Sequence, residues 1–175
     1  MAQGAGNINK DEVLKALKEI LEEMGLDIEN IDSQAFVRSV ISTVNHMSFG
    51  VRVNANTTIF AGTTKISNMY GEALAKTIEN WFPDSVAVTS ESSIYNYQNW
   101  NAKQKAFKIV LVRNYEGQSL EKLFNSLSDF EQDGFNPTVL LCTTEKVFEK
   151  MRRYEKNEYR LFYSLCGNKI IISDN

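Results

Sequence analysis

The residues of this chain that could do chemistry are concentrated in a basic-aromatic stretch, Tyr95–Arg113. It lies within Ser92–Tyr115, a segment that contains four basic residues and no acidic one. Aromatic rings can stack on bases, and basic side chains can neutralise phosphates, so the pattern indicates a nucleic-acid-binding surface. In the alternative arrangement, the rings fill a sheet edge and the lysines face water. The candidate residues are Tyr95, Tyr97, Trp100, Lys103, Lys105, Lys108 and Arg113.

A second candidate site is a strand-end rim made of polar residues that follow two predicted strands. Arg113 and Glu116 follow the apolar run that starts at Ala106, and Thr144 and Glu145 follow the run that ends at Cys142. Ligands of open α/β sheets bind beyond the carboxyl ends of parallel strands, so we expect these four residues to share one rim. Helix amides there could hold an anion. The alternative is that the threonine only caps a helix and the arginine is solvated.

The composition gives little support for a metal site or for a nucleophilic catalytic residue. The chain has one histidine, His46, and two cysteines, Cys142 and Cys166. These fall short of the four ligands of a structural zinc site. Both cysteines lie in apolar, strand-like surroundings and are interpreted as reduced, buried thiols. The sequence predicts no metal or cofactor and shows no catalytic constellation, which favours a protein that is not an enzyme; the alternative is a Cys–His nucleophile that the fold would have to assemble with His46.

Length and charge bound the class of protein. At 175 residues the chain is most simply one domain, and its net charge of −3 is too small for the whole chain to capture nucleic acid or an anionic membrane. The N-terminus lacks the basic and apolar regions of a secretory signal, and no apolar run approaches the roughly 18 residues of a membrane span. We therefore expect a cytoplasmic protein, or one in the host cytoplasm or virion if viral, with no membrane partner.

The elements that must position these residues predict an α/β fold with an α+β tendency. Strand and helix patterns alternate from Ala106 to Leu165 as a βαβαβ unit, and Gly167-Asn168 is typical of a hairpin turn. Shorter strands are predicted at Ser85–Ser90 and Ile94–Tyr97. The expected architecture is a mixed sheet of about five to seven strands with helices on its faces.

The N-terminal part is predicted to be helical. Residues 1–9 are expected to be a flexible tail, followed by a single α/β domain, residues 10–175. This domain divides into a helical part, residues 10–48, and a sheet-containing core, residues 49–175. The predicted elements are helices Lys10–Met24, Ser33–Met47 and Thr64–Phe82, a weak hairpin Phe49–Gly62, and helices Ser119–Gln132 and Glu145–Lys156. Gly71 inside the third helix costs about 1 kcal/mol relative to Ala and is expected to permit close packing.

The predicted element order over Thr64–Cys142 resembles the core of PD-(D/E)xK nucleases. A helix, three strands, a helix and a strand follow one another, and Pro83-Asp84 lies at the matching junction. Such enzymes carry an acidic residue and a lysine on the third strand to hold Mg²⁺ and position water. Here that strand reads Ile109–Arg113 and has no acid, so the resemblance implies at most an inactive nuclease-like fold.

Three functions are compatible with these observations. The first is a non-enzymatic interaction or assembly protein with a protein partner or self-association, which the 19 aromatic residues and the amphipathic first helix favour. The second is a nucleic-acid-binding module that uses the basic-aromatic stretch. The third is a small enzyme with its site at the strand-end rim. The many asparagines and only two prolines suit an AT-rich viral or bacterial genome.

Overall fold

The computed structural model describes residues 9–27, 38–45, 57–135, 137–157 and 166–171. Within them the chain forms a five-stranded sheet with the strand order β2-β3-β4-β1-β5. The strands are β1 (Thr57–Gly62), β2 (Val86–Thr89), β3 (Ile109–Tyr115), β4 (Thr138–Thr144) and β5 (Cys166–Ile171). The helices are α1 (Lys10–Glu23), α2 (residues 38–45), α3 (Thr64–Glu79), α4 (Glu91–Tyr95), α5 (Leu120–Gln132) and α6 (Glu145–Asn157).

All four strand pairings of this sheet are parallel, so the α/β class is confirmed and the mixed sheet is not. The predicted hairpin turn at Gly167-Asn168 is wrong. Those two residues lie inside β5, which pairs with β1 and sets Asn168 opposite Thr58. Pairing with a neighbour that is distant in sequence has overridden the local turn preference. The strand predicted at Tyr159–Leu165 lies outside the described residues, and β5 is separated from β4 by β1.

The strand predicted at Ile94–Tyr97 is also wrong. Ser90 caps α4 by accepting a hydrogen bond from the amide of Ser93 at 3.3 Å, and a 3₁₀ turn continues at Tyr97–Asn99. A four-residue apolar pattern fits either a strand or a helical turn, and the serine cap favours the helix. Between α3 and α5 the chain therefore has two parallel strands flanking a helix. The element order that resembled the PD-(D/E)xK nucleases is absent from this described segment.

Most of the predicted helices are found close to their expected bounds. Asn9 caps α1 by accepting a hydrogen bond from the amide of Asp11 at 2.9 Å, and Gly25 follows that helix with a φ of 72°. Of the helix predicted at Ser33–Met47, the described part is helical and buries Val40 and Val44. His46, the tail before Asn9 and residues 49–56 lie outside the described residues.

The three central strands, β3, β4 and β1, are buried on both faces of the sheet, and each face has its own core. Side chains alternate along a strand, so on β3 Ile109 and Leu111 point to one face while Val110 and Val112 point to the other. The first face packs against α1, α2 and α3, and the second packs against α4, α5 and α6. Strands buried on both faces read as continuous apolar runs, which is why β3 and β4 stand out in the sequence.

The connections that leave the neighbouring strands β4 and β1 run in opposite directions across the sheet. The chain leaves β1 through α3 on one face and reaches β2 at one edge of the sheet. It leaves β4 through α6 on the other face and reaches β5 beyond β1. Right-handed crossovers put helices on opposite faces when the chain moves in opposite directions, so the topology switches at this pair of strands. In the described part of the chain, no helix is long and apolar enough to cross a membrane.

Candidate functional site

The carboxyl ends of the parallel strands β1, β3 and β4 lie side by side at the same end of the sheet, where the strand-end rim was predicted. Gly62 lies opposite Thr144 in the β1–β4 pairing. Two helices begin at this pair, because Thr63 caps α3 and Thr144 caps α6. Their hydroxyls accept hydrogen bonds from the amides of Ile66 at 3.4 Å and Val147 at 3.3 Å. The rim therefore presents two helix N-termini at the topological switch point.

Buried hydroxyl groups hold this rim together. The Ser67 hydroxyl, on the first turn of α3, donates to the carbonyl of Thr143 at 2.7 Å. The Thr143 hydroxyl in turn donates to the carbonyl of Tyr115 at 2.7 Å. Ser67, Thr143 and Tyr115 are all buried, so each bond satisfies polar atoms that water does not reach. This chain of contacts fixes α3, β4 and β3 relative to one another.

Two asparagines that the sequence did not single out shape the end of β3. Asn114 has a φ of 54°, a left-handed conformation that asparagine tolerates better than most residues, and it lies where the β3–β4 register shifts. Asn68 of α3 is buried and holds it in place. The Asn68 amide Nδ2 donates to Asn114 Oδ1 at 2.6 Å, and the Asn114 backbone amide donates to Asn68 Oδ1 at 3.1 Å.

The predicted rim residues lie at this edge but do not converge on one point. Arg113 points to the α3 face, where its Nε lies 2.7 Å from Glu72 Oε1 in a pair that is over a third exposed. Such exposed pairs contribute little to stability. Glu116 and Glu145 are exposed, and Thr144 is occupied as a helix cap. Thr144 therefore acts as the cap of α6.

A buried carboxylate that the sequence did not reveal organises the loop after β3. Glu91 is 8% exposed and begins α4. Its carboxylate accepts hydrogen bonds from the backbone amides of Glu116 at 2.8 Å and Gln118 at 2.6 Å, and from the Tyr95 hydroxyl at 2.8 Å. Bonds to an ionised acceptor are stronger than neutral ones. Glu91 thus ties the connection after β2 to the connection after β3.

Tyr95 completes this arrangement as a structural residue. Its hydroxyl lies 3.0 Å from that of Tyr115 and accepts a hydrogen bond from the amide of Ser119 at 3.1 Å. Burial raises the pKa of Tyr95 to about 12, so the hydroxyl stays protonated and can donate to Glu91.

The aromatic rings of the basic-aromatic stretch lie mostly in the core. Tyr97 is 1% exposed and packs its ring against Phe130 at a centroid distance of 4.4 Å and against Phe135 at 5.7 Å. Trp100 is 8% exposed and donates through Nε1 to the carbonyl of Ser93 at 2.9 Å. These rings are not free to stack on bases, because other aromatic rings already cover them. Of the predicted nucleic-acid surface, the lysines remain.

Those lysines lie on the segment 101–108, next to the sheet edge formed by β2. Lys103 and Lys108 are exposed, and Lys105 Nζ sits 4.8 Å from the centroid of the Tyr97 ring in a cation–π contact. The backbone amides of Lys108 and Ile109 both donate to the carbonyl of Ser85 at 3.0 Å. This segment therefore runs beside the start of β2.

The β2 strand is an edge of the sheet and carries the one large hydrophobic side chain found exposed among the described residues. That residue is Val88, which is 62% exposed. A groove of about 310 Å³ runs along the strand, and Trp100, Gln104 and Phe107 help to line it. Backbone groups alternate sides along a strand. Because the Ser85 carbonyl faces β3, the N–H and C=O groups of Val86 and Val88 face outward.

Cys142 lies in the core and not at a reactive position. Its thiol is free, 1% exposed and packed against α3 at Gly71. Burial raises the pKa of this thiol, so it stays protonated at neutral pH. Within the described ranges, no three His, Cys, Asp or Glu side chains are close enough to hold a metal ion. The side chain of Cys166 is not described.

No protein-family model, curated protein or solved structure matches the chain. Two places in the structure remain as candidates for function, the β2 edge and the strand-end rim.

Proposed function

We propose that this chain is a protein-interaction module that binds an extended segment of a partner protein by strand addition to β2. The observation that carries the proposal is the combination of an outer sheet edge, the 62% exposed Val88 and a groove alongside the strand. An edge strand presents a row of backbone donors and acceptors that a second chain can pair with. This is the interaction function that the sequence already favoured.

The edge offers both elements of strand-addition binding. The outward N–H and C=O groups of Val86 and Val88 supply main-chain hydrogen bonds, which give affinity. The groove wall made by Trp100 and Phe107 supplies apolar contacts for alternate side chains of the added strand. The strand is short, four residues, so a bound segment would depend on the groove as well as on the ladder.

Removing one outward amide tests this function. In Val88→Pro the ring replaces an N–H that faces away from β3, a position where sheets tolerate proline. We expect the variant to bind a twelve-residue strand-forming peptide of alternating Val and polar residues at least tenfold more weakly, or about 1.4 kcal/mol. Fluorescence anisotropy measures the affinity, and hydrogen exchange should show that the wild-type amides of Val86 and Val88 gain protection.

Val88→Thr is the matched control, because it keeps the backbone N–H and a β-branched side chain. Its affinity should stay near that of the wild type. The same peptide with N-methylated backbone amides should not bind, a result that does not depend on how any variant folds. Equal binding of methylated and unmethylated peptides would show that β2 is not the docking strand.

A second candidate function is the binding of a small anionic ligand at the strand-end rim. The observation that favours it is the topological switch between β4 and β1, the place where open parallel sheets bind ligands. The free backbone amides at the start of α3 and of α6 lie next to the paired residues Gly62 and Thr144. Lys65 and Lys146 are exposed on the first turns of these two helices. An enzyme site of the kind considered from the sequence would lie here as well.

Titration with inorganic pyrophosphate, followed by amide NMR shifts, tests the rim. We expect shifts confined to residues 62–66 and 144–147, and a roughly tenfold weaker affinity in Lys65→Glu. Lys76→Glu is the control, since Lys76 is exposed in the last turn of the same helix, far from the rim. Shifts spread over all exposed lysines would argue against a site at the switch point.

A further inference from the structure

We infer that the segment that adds to β2 is acidic, with carboxylates that meet the lysines of the segment 101–108. This inference rests on the proposed strand-addition function and names the chemistry of the partner. It commits to one occupant of the edge, an extended acidic segment of another protein.

The charge around the edge supports this assignment. The segment 101–108 forms part of the groove wall through Gln104 and Phe107, and it carries Lys103, Lys105 and Lys108 between and beside them. Within the described part of the chain, none of these lysines is in an ion pair. Lys103 and Lys108 are thus exposed, without a salt bridge to any described residue, on the segment that walls the groove, while the ammonium group of Lys105 lies over the Tyr97 ring.

In the described part of the chain, the acidic residues that flank β2 in sequence form no salt bridge with these lysines. Asp84 is exposed just before the strand. Glu91 follows the strand, but it is buried, and its carboxylate is occupied by two backbone amides and a tyrosine hydroxyl. From Ser92 to Tyr115 the chain has no acid at all. The positive side of the groove is thus available to a partner carboxylate.

Strand geometry places the partner within reach of these charges. An added strand lies about 4.8 Å from β2, and its side chains alternate between the two faces of the sheet at about 3.3 Å per residue. Residues on the face of α4, α5 and α6 would lie on the side of Trp100, which belongs to the core of that face and lines the groove. The start of β2 lies beside Lys108, whose amide bonds to Ser85, so a carboxylate is expected at that end of the segment.

A second copy of this chain is a poor occupant of the same edge. Two copies that paired through β2 would gather six lysines around one interface, and like charges that lie near one another repel. Lysines beside an edge are a common means of preventing such self-pairing. The charge that opposes a second copy favours an acidic strand.

Three peptides test the inference. They are twelve-residue strands that alternate Val with Glu, with Gln or with Lys, and they bind under identical conditions to the full chain. We expect the Glu peptide to bind at least tenfold more tightly than the Gln peptide and the Lys peptide to bind weakest. The advantage of the Glu peptide should shrink between 50 and 500 mM salt, because exposed charges are screened.

Charge reversal identifies the residues that confer the preference. The triple variant Lys103→Glu/Lys105→Glu/Lys108→Glu should reverse the order of the three peptide affinities. The double variant Lys103→Glu/Lys108→Glu, which keeps the cation–π contact of Lys105, should shift these affinities in the same direction. Lys15→Glu/Lys18→Glu/Lys76→Glu changes the net charge equally at exposed positions elsewhere and should leave the order unchanged.

The outcomes separate this inference from the function on which it rests. Equal binding of the Glu and Gln peptides, both lost on N-methylation, would overturn the acidic partner and leave strand addition standing. A concentration-dependent dimer through β2, or tighter binding of a twenty-residue oligothymidylate to the same lysines, would also overturn it. If none of the three peptides binds, the inference and the proposed function both fail.

Discussion

Replacement of Glu91 by Ala is expected to lower the free energy of unfolding by about 3–5 kcal/mol, because three hydrogen-bond donors around a buried carboxylate lose their acceptor. Those donors are the amides of Glu116 and Gln118 and the hydroxyl of Tyr95. The loss should also loosen the connection after β3, since Glu91 is what joins it to α4. Urea denaturation followed by circular dichroism measures the change.

Two variants make this prediction specific. Glu116→Ala removes an exposed carboxylate in the same loop but leaves its backbone amide bonded to Glu91, so its effect should stay within about 0.5 kcal/mol. The loss of stability in Glu91→Gln should lie between those of the two alanine variants. The glutamine carbonyl can still accept a hydrogen bond, while its NH₂ group would face a backbone N–H. A Glu91→Ala protein as stable as the wild type would show that the carboxylate is not a structural hub.

The second large effect is expected at Gly71, where α3 lies against the sheet. A Cβ atom there would overlap Cys142 Sγ and come within 3.1 Å of Leu111 Cδ1. Gly71→Ala should therefore destabilise the protein by about 1–3 kcal/mol through overpacking, although alanine is better than glycine inside a helix by about 1 kcal/mol. Chemical denaturation measures the change.

A double-mutant cycle isolates the contact. Cys142→Ala removes the sulfur atom that the new methyl group would meet, so Gly71→Ala should cost less in that background than in the wild type. Lys76→Ala, exposed on the same helix, should change stability by no more than about 0.5 kcal/mol. If Gly71→Ala stabilised the chain, the close approach of α3 to β4 would be contradicted.

The two proposed binding places lie at different parts of one scaffold. The β2 edge closes one side of the sheet, while the strand-end rim lies at the β4–β1 pair, with β3 between them. Glu91 and its partners lie at the carboxyl ends of β2 and β3, between these two places. A variant that affects only one of them, such as Val88→Pro or Lys65→Glu, can therefore separate an interaction function from a ligand-binding one.

The sequence predicted the parts of the fold that depend on local forces. Helices with a capping residue and a 3.6-residue apolar period, such as α1 and α5, appear close to their expected bounds, because their hydrogen bonds form within the helix. The two doubly buried strands, β3 and β4, were recognisable as apolar runs. The predicted packing role of Gly71 also agrees with the close approach of α3 to Cys142.

The errors lie where local preference is weak or is opposed by pairing elsewhere. Ile94–Tyr97 is too short for its apolar period to distinguish a strand from a helix. Gly167-Asn168 has the composition of a turn, but in the structure these residues belong to a strand that pairs with β1. The two backbone amides that donate to Glu91 lie 25 and 27 positions away along the chain, and no spacing in the sequence predicts these contacts.

Some features of the candidate sites were determined by the sequence alone, and others only by the tertiary structure. The sequence by itself determined that Ser92–Tyr115 is free of acids and that polar residues follow the parallel strands. Tertiary structure decided that Tyr97 and Trp100 are in the core while Lys103 and Lys108 stay exposed, and that β2 forms an edge. Residue type sets which contacts a side chain can make. Strand order, which is selected by burial of both sheet faces over long sequence separations, sets which of those contacts it finds.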